Sequence, residues 1–233
     1  MRGAVDSGKR DFQAHTEFSG LTRIFHWLRA FSIFGLIGTG FYIALPFLSP
    51  TPSAEPTLFA QAYIRSIHLI LGFILIAISI FRVYLFFFDK EGSKEERRSF
   101  KQFIDVKVWI ASIKTYLFIG KHPHIEGAYN PLQFITYFTL GVLTLLVCLT
   151  GVALYGNVYH SGLGAVLGAS FKWVEVLCGG LANVRVIHHI LTWAFVIFIP
   201  VHVYLVVWNS VKYPNGGADA IISGVRYQND LKV

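Results

Sequence analysis

Four long apolar runs, separated by polar stretches, organise this 233-residue chain. They extend over about residues 22–48, 62–88, 131–155 and 184–211. Each exceeds the roughly 20 residues that an α-helix needs to cross about 30 Å of hydrocarbon. Asp89-Lys90 and Tyr213-Pro214-Asn215-Gly216-Gly217 read as stops. Between the second and third runs, Val106, Trp109, Ile110, Ile113 and Leu117 recur at helical spacing over 103–119, with Lys107 and Lys114 towards the other side. That pattern predicts an interfacial amphipathic helix. No internal repeat or low-complexity tract interrupts the series. The fold class predicted is an all-α integral membrane protein. It is a single domain over 1–233, a four-transmembrane-helix bundle with an interfacial helix between spans 2 and 3.

Composition agrees with a membrane protein: 54% of residues are hydrophobic and 14% charged, against about 25% charged in an ordinary soluble domain. The net charge of +7 would point to nucleic acid in a soluble protein. Here the cations cluster in loops, so a nucleic-acid partner is not expected. The 89–130 connection holds Lys90, Lys94, Arg97, Arg98, Lys101, Lys107, Lys114 and Lys121, and both tails are basic. The 49–61 connection has no Lys or Arg, and 158–183 has only Lys172. The positive-inside rule then puts both termini and the 89–130 loop in the cytoplasm. The first twenty residues do not resemble a cleavable signal peptide, so the first span is expected to be an uncleaved anchor. Cys148 and Cys178 form no Cys-x-x-Cys-His run, which excludes covalent c-type haem attachment and makes a cysteine-ligated iron–sulfur cluster implausible.

Against this background four histidines stand out within the apolar runs: His26, His68, His188 and His202. An ionisable side chain in a bilayer core is costly and marks a candidate site. The fourteen residues from His188 to His202 make four helical turns less about 40°, so the two share a face about 21 Å apart along the axis. Topology puts His26 level with His202 near the cytoplasmic side, and His68 level with His188 near the outer side. Two axial imidazoles on a b-type haem need one His from each of two helices at equal depth. That condition is met twice, which predicts two haem b groups. The same histidines could instead be hydrogen-bonded within the bundle or serve a proton relay, and a haem-free anchor is a third possibility. His189 lies about 140° round the helix from His202 and is not the preferred ligand. Pro200 is expected to kink the fourth helix, so the helical-wheel match is approximate.

Arg23, Arg65 and Arg185 each precede a candidate ligand by three residues, on the same helix face and the water-facing side. Haem propionates are carboxylates, and Arg pairs well with carboxylates. Snorkelling at helix ends would give the same pattern. Gly35, Gly38, Gly40 and Gly72 leave room for a porphyrin or for plain helix packing.

The ordered motifs Arg23-Ile24-Phe25-His26-Trp27, Tyr63-Ile64-Arg65-Ser66-Ile67-His68, Tyr129-Asn130-Pro131, Leu149-Thr150-Gly151 and His188, Trp193, His202-Val203-Tyr204 resemble the b-type cytochrome subunit of membrane-bound nickel–iron uptake hydrogenases. The likeness runs from about residue 17 to 228. A similar di-haem design occurs in the membrane subunits of formate dehydrogenases. The resemblance implies a subunit of a hydrogen:quinone oxidoreductase complex in the bacterial inner membrane. Its partners would be periplasmic hydrogenase small and large subunits, with H2 oxidation in those partners and no catalytic residue here. Electrons would pass through a His68/His188 haem to a His26/His202 haem and on to a quinone, menaquinone or ubiquinone, near the cytoplasmic face. It also implies a quinone contact at Asn130, with Gln133 a weaker candidate. The alternatives are a formate dehydrogenase or other oxidoreductase partner, and, in another class, a proton relay or transporter.

Overall fold

The computed structural model describes residues 12–16, 18–47, 59–88, 105–116, 131–212 and 218–229. In chain order these form β1 (Phe12–Thr16), α1 (Gly20–Ala44), α2 (Ala60–Phe88), α3 (Val106–Tyr116), α4 (Pro131–Gly156), α5 (Leu163–Ser170), α6 (Lys172–Cys178), α7 (Leu181–Lys212), α8 (Ala220–Ser223) and β2 (Val225–Asn229). Four of the helices, α1, α2, α4 and α7, are long and apolar enough to cross a membrane. The fold is the all-α membrane architecture expected, with one addition: a short pair of strands from the tails.

Helix boundaries follow local chemistry. The Ser19 hydroxyl accepts from the Thr22 backbone N–H at 3.2 Å, capping α1 at its start. Pro46, two residues past its last turn, cannot continue it. Asp105 starts α3 by accepting the Lys107 N–H at 2.9 Å, so the amphipathic helix begins at Val106, three residues after the start that the apolar pattern suggests. Its stripe of Val106, Ile110 and Ile113 is exposed, whereas Ser112 is buried. Helix α7 continues through Pro200.

The chain divides into two compact units, Met1–Phe31 with Val196–Val233, and Ser32–Phe195. The division falls inside α1 and α7. In α7 it lies at Val196, whose carbonyl Pro200 leaves without its helical N–H donor.

In the first unit, β1 and β2 pair antiparallel, with Phe12 opposite Asn229 and Thr16 opposite Val225. Paired strands lie on one side of any membrane, so the segments flanking the first and last spans share a side. The α8 turn is tied to the start of α1. Arg23 Nη1 donates to the Ile222 carbonyl at 2.5 Å and Trp27 Nε1 donates to the Ile221 carbonyl at 3.2 Å.

In the second unit, α2 and α3 each pack on α4. Two helices that the apolar pattern did not predict, α5 and α6, fill the connection between α4 and α7. Gly156 of α4 and Gly168 of α5 approach so closely that a Cβ on the first would clash with the backbone of the second. A small core of Ala153, Val174 and Val184, with Leu149, Leu154, Phe171 and Cys178 against it, joins α4, α6 and α7. Gly179, at φ 76° in the left-handed region, ends α6. Beside this core, Glu175 accepts from Lys172 Nζ at 2.7 Å and from Asn157 Nδ2 at 3.1 Å. These two donors hold its carboxyl below the ordinary carboxylate range.

Candidate haem-ligand histidines

The four candidate histidines come together in two pairs, one in each unit. His26 of α1 and His202 of α7 have ring centroids 6.5 Å apart in the first unit. His68 of α2 and His188 of α7 have theirs 6.5 Å apart in the second. Metal–imidazole bonds are about 2 Å long, so two rings ligating one iron from opposite faces hold their centroids roughly 6 Å apart. The observed separation meets that requirement. Edge-on aromatic packing also spans 4.5–7 Å, so the ring nitrogens have to decide what the pairs can do.

In the second unit they do decide. Thr39 Oγ1 of α1 lies 2.8 Å from His68 Nδ1, and Thr150 Oγ1 of α4 lies 2.8 Å from His188 Nδ1. Each hydroxyl already donates its one proton into its own helix, Thr39 to the Gly35 carbonyl at 2.6 Å and Thr150 to the Leu146 carbonyl at 2.9 Å. The threonine oxygen is therefore the acceptor, and the imidazole Nδ1–H must be the donor. That tautomer leaves Nε2 of both rings unprotonated, which is the form that binds a metal. The glycine after each threonine supplies room. A Cβ on Gly40 would meet His68 Cε1 at 3.4 Å, and a Cβ on Gly151 would meet His188 Cε1 at 3.4 Å. Two Thr-Gly dipeptides on different helices thus grip two histidines in the same way.

Sequence reasoning noticed Gly40, and Thr150-Gly151 as a helix-end motif, but gave Thr39 and Thr150 no role. The repeated dipeptide was the available signal. The other glycines divide: a Cβ on Gly35 would strike Leu71, so that position serves helix packing, whereas Gly38 and Gly72 have open space before them. An apolar cavity of about 310 Å³ lies beside Thr39, between Gly38 and Tyr42 of α1 and Ala60, Tyr63 and Ile64 of α2.

The first-unit pair has a different setting. Neither His26 nor His202 has a hydrogen-bonded ring nitrogen among the described residues. Both rings instead meet aromatic neighbours: Trp27 lies edge-on to His26 at 5.6 Å, and Phe198 is stacked on His202 at 5.4 Å.

The remaining sequence candidates are placed as follows. Arg23 gives Nη1 to the Ile222 carbonyl, while its Nε is buried without a partner among the described residues. Its guanidinium rests against Gly224, where a Cβ would come within 3.0 Å of Arg23 Cζ. Arg65 and Arg185 are exposed, one turn from His68 and His188. Asn130 and the Gln133 side chain lie outside the described residues. His189 is exposed and edge-on to Phe41 at 5.6 Å.

The donor set of each pair, two imidazoles from two helices, fits a b-type haem. The Thr-held tautomers and the glycine clearances in the second unit fit it further. Comparison with known proteins points the same way. Residues 17–224 match the family described as prokaryotic cytochrome b561. The chain is 31% identical over 215 residues to the probable Ni/Fe-hydrogenase B-type cytochrome subunit of Rhizobium leguminosarum bv. viciae, covering 89% of this chain and 87% of that one. It is 32% identical over 218 residues to the protein of the same name in Bradyrhizobium diazoefficiens, covering 89% and 84%. It is 28% identical over 224 residues to the probable Ni/Fe-hydrogenase 1 B-type cytochrome subunit of Escherichia coli K12, covering 91% of each.

Proposed function

The chain belongs to the prokaryotic cytochrome b561 family, and from that membership we propose that it carries electrons across the membrane from a nickel–iron hydrogenase to a quinone. It is a multi-pass membrane cytochrome b, and the family implies b-type haem. In the proposed reading each histidine pair holds one haem b, two in all. The observation that carries it is the pair of 6.5 Å ring separations, each joining two helices. A bound haem supplies a one-electron carrier. The protein supplies the ligands, their orientation and the surroundings that set how readily the carrier gives up an electron.

The hydrogenase small and large subunits sit on the periplasmic side of the bacterial inner membrane in this reading, with both tails of this chain in the cytoplasm. The charge distribution supports that orientation, and the β1–β2 pairing supports a common side for the tails. The partner splits one H2 into two electrons and two protons, and one quinone takes up two of each. Arg65 and Arg185, exposed and one turn from their histidines, meet propionates in this reading, with Arg23 as the third candidate. Asn130, with Gln133, hydrogen-bonds the quinone at the cytoplasmic interface. The interfacial position of α3 is supported by its exposed apolar stripe. A proton relay is disfavoured because Thr39 and Thr150 hold their histidines in one tautomer each, and a relay needs that tautomer to exchange.

The test is isolation of the chain with its membrane partners in mild detergent, followed by addition of H2. Reduction of b-type absorption bands, in a preparation containing nickel, is the expected result. Bands that respond to formate, or to another donor, and not to H2 would replace the hydrogenase with a different oxidoreductase.

A further inference from the structure

We propose that Thr39 and Thr150 are positioning residues that lower the midpoint potential of the His68/His188 site. This rests on the haem reading above. An acceptor on the far nitrogen of a ligating imidazole fixes the ring and raises its basicity. A more basic ligand favours the oxidised iron over the reduced, which lowers the potential; hydrogen bonding beyond the ligand is one of the protein's levers on a haem.

Both members of the second-unit pair carry this acceptor at 2.8 Å. Among the described residues, neither member of the first-unit pair does. The two acceptors give the Thr-held site a direction: it releases an electron more readily than the same histidine pair would without them.

Back-bonding of Ser and Thr to the i−4 carbonyl is common in such helices and does not by itself identify a role. Thr144 donates to Leu140 and Ser79 to Leu75 in that way. Thr39 and Thr150 differ because their oxygens also accept from a candidate ligand. The arrangement occurs twice, on α1 and on α4, each time followed by a glycine that faces the ring, where a Cβ would come 3.4 Å from the imidazole.

The experiment is a potentiometric titration of the purified protein, following the b-type absorption bands, with haem content measured alongside. Variants are Thr39→Val, Thr150→Val and the double variant, with Thr→Ser at each position as the acceptor-retaining control. The net worth of one hydrogen bond sets the size of the shift. Each Val variant should therefore raise one of the two midpoints by about threefold to tenfold in the oxidised-to-reduced ratio, tenfold being ~59 mV for one electron. The other midpoint should stay in place, and Ser should keep the wild-type values.

Full haem content with both midpoints unmoved in the double Val variant would overturn the proposal. If Val costs the haem, Ala against Ser decides. Ala must raise the midpoint and Ser must not, and equal midpoints overturn the proposal. A wild-type protein without haem would instead overturn the haem reading, and this inference with it.

Discussion

The two histidine pairs share a ring separation of 6.5 Å and differ in nearly everything around it. His68 and His188 are held from behind by hydroxyls on two further helices, α1 and α4, so four helices contribute to that site. His26 and His202 are set among aromatic rings, beside a turn of the C-terminal tail that bonds to Arg23 and Trp27. Ring spacing is fixed by which helices meet. Ring orientation and donor strength are fixed by a second layer of residues, and among the described residues that layer is seen behind His68 and His188. Equal distances therefore need not mean equal chemistry, and the variants that separate the pairs are the informative ones.

The largest expected effect comes from the ligands. His68→Ala or His188→Ala should remove one of two haems while leaving the spectrum of the other unchanged. Low-temperature absorption and electron paramagnetic resonance would resolve which signal is lost. A variant retaining both signals would break the pairing.

Next is the clearance behind the ring. Gly151→Leu should displace His188, because even a Cβ there sits 3.4 Å from the imidazole. It should cost the same haem as His188→Ala, whereas Gly151→Ala should keep both. Loss of the His26/His202 signal instead would show that the two sites are not independently built.

Asn130→Ala tests the quinone end of the proposed electron route. It should leave both haems reducible by H2 and slow quinone reduction by roughly tenfold or more, the order of a lost polar contact to a bound group. Unchanged quinone turnover would remove Asn130 from the site.

Trp27→Phe should be milder. It deletes the bond to the Ile221 carbonyl, worth about 1 kcal/mol, and should speed amide exchange across residues 219–224 without changing haem content.

The smallest effect belongs to Glu175 of α6, in the connection between α4 and α7. Its carboxyl is held below the ordinary value by Lys172 and Asn157. A depressed acid contributes stability that is complete above the unfolded value of about 4.3 and is lost as pH falls through the folded value. Amide protection of 163–178 should therefore weaken only in acid, and Glu175→Gln should abolish that pH dependence.

Much of this was legible from the chain alone. The four spans were visible because about 20 apolar residues in a row have few other uses. The observed helices begin and end within four residues of the expected bounds. The histidine pairing followed from depth alone, since topology and position along a helix fix depth. Thr39 and Thr150 were not assigned because their role depends on the rotation of α1 and α4 against α2 and α7, which sequence spacing does not carry. The bonds from Arg23 and Trp27 to the α8 turn join residues nearly two hundred positions apart, and β1–β2 is a five-residue pairing at similar separation. Such contacts have no local signature. Helices α5 and α6 have no such signature because each, at 8 and 7 residues, is shorter than the window of about 11 over which a helical period can be read.

The central claim is that each histidine pair holds one haem b. A pyridine haemochrome spectrum of the purified protein, set against an amino-acid count of the same sample, tests it most directly. Two haems b per chain, falling to one in His188→Ala, is the result the account predicts. One haem or none in the wild-type protein, made in cells supplied with haem, would contradict it.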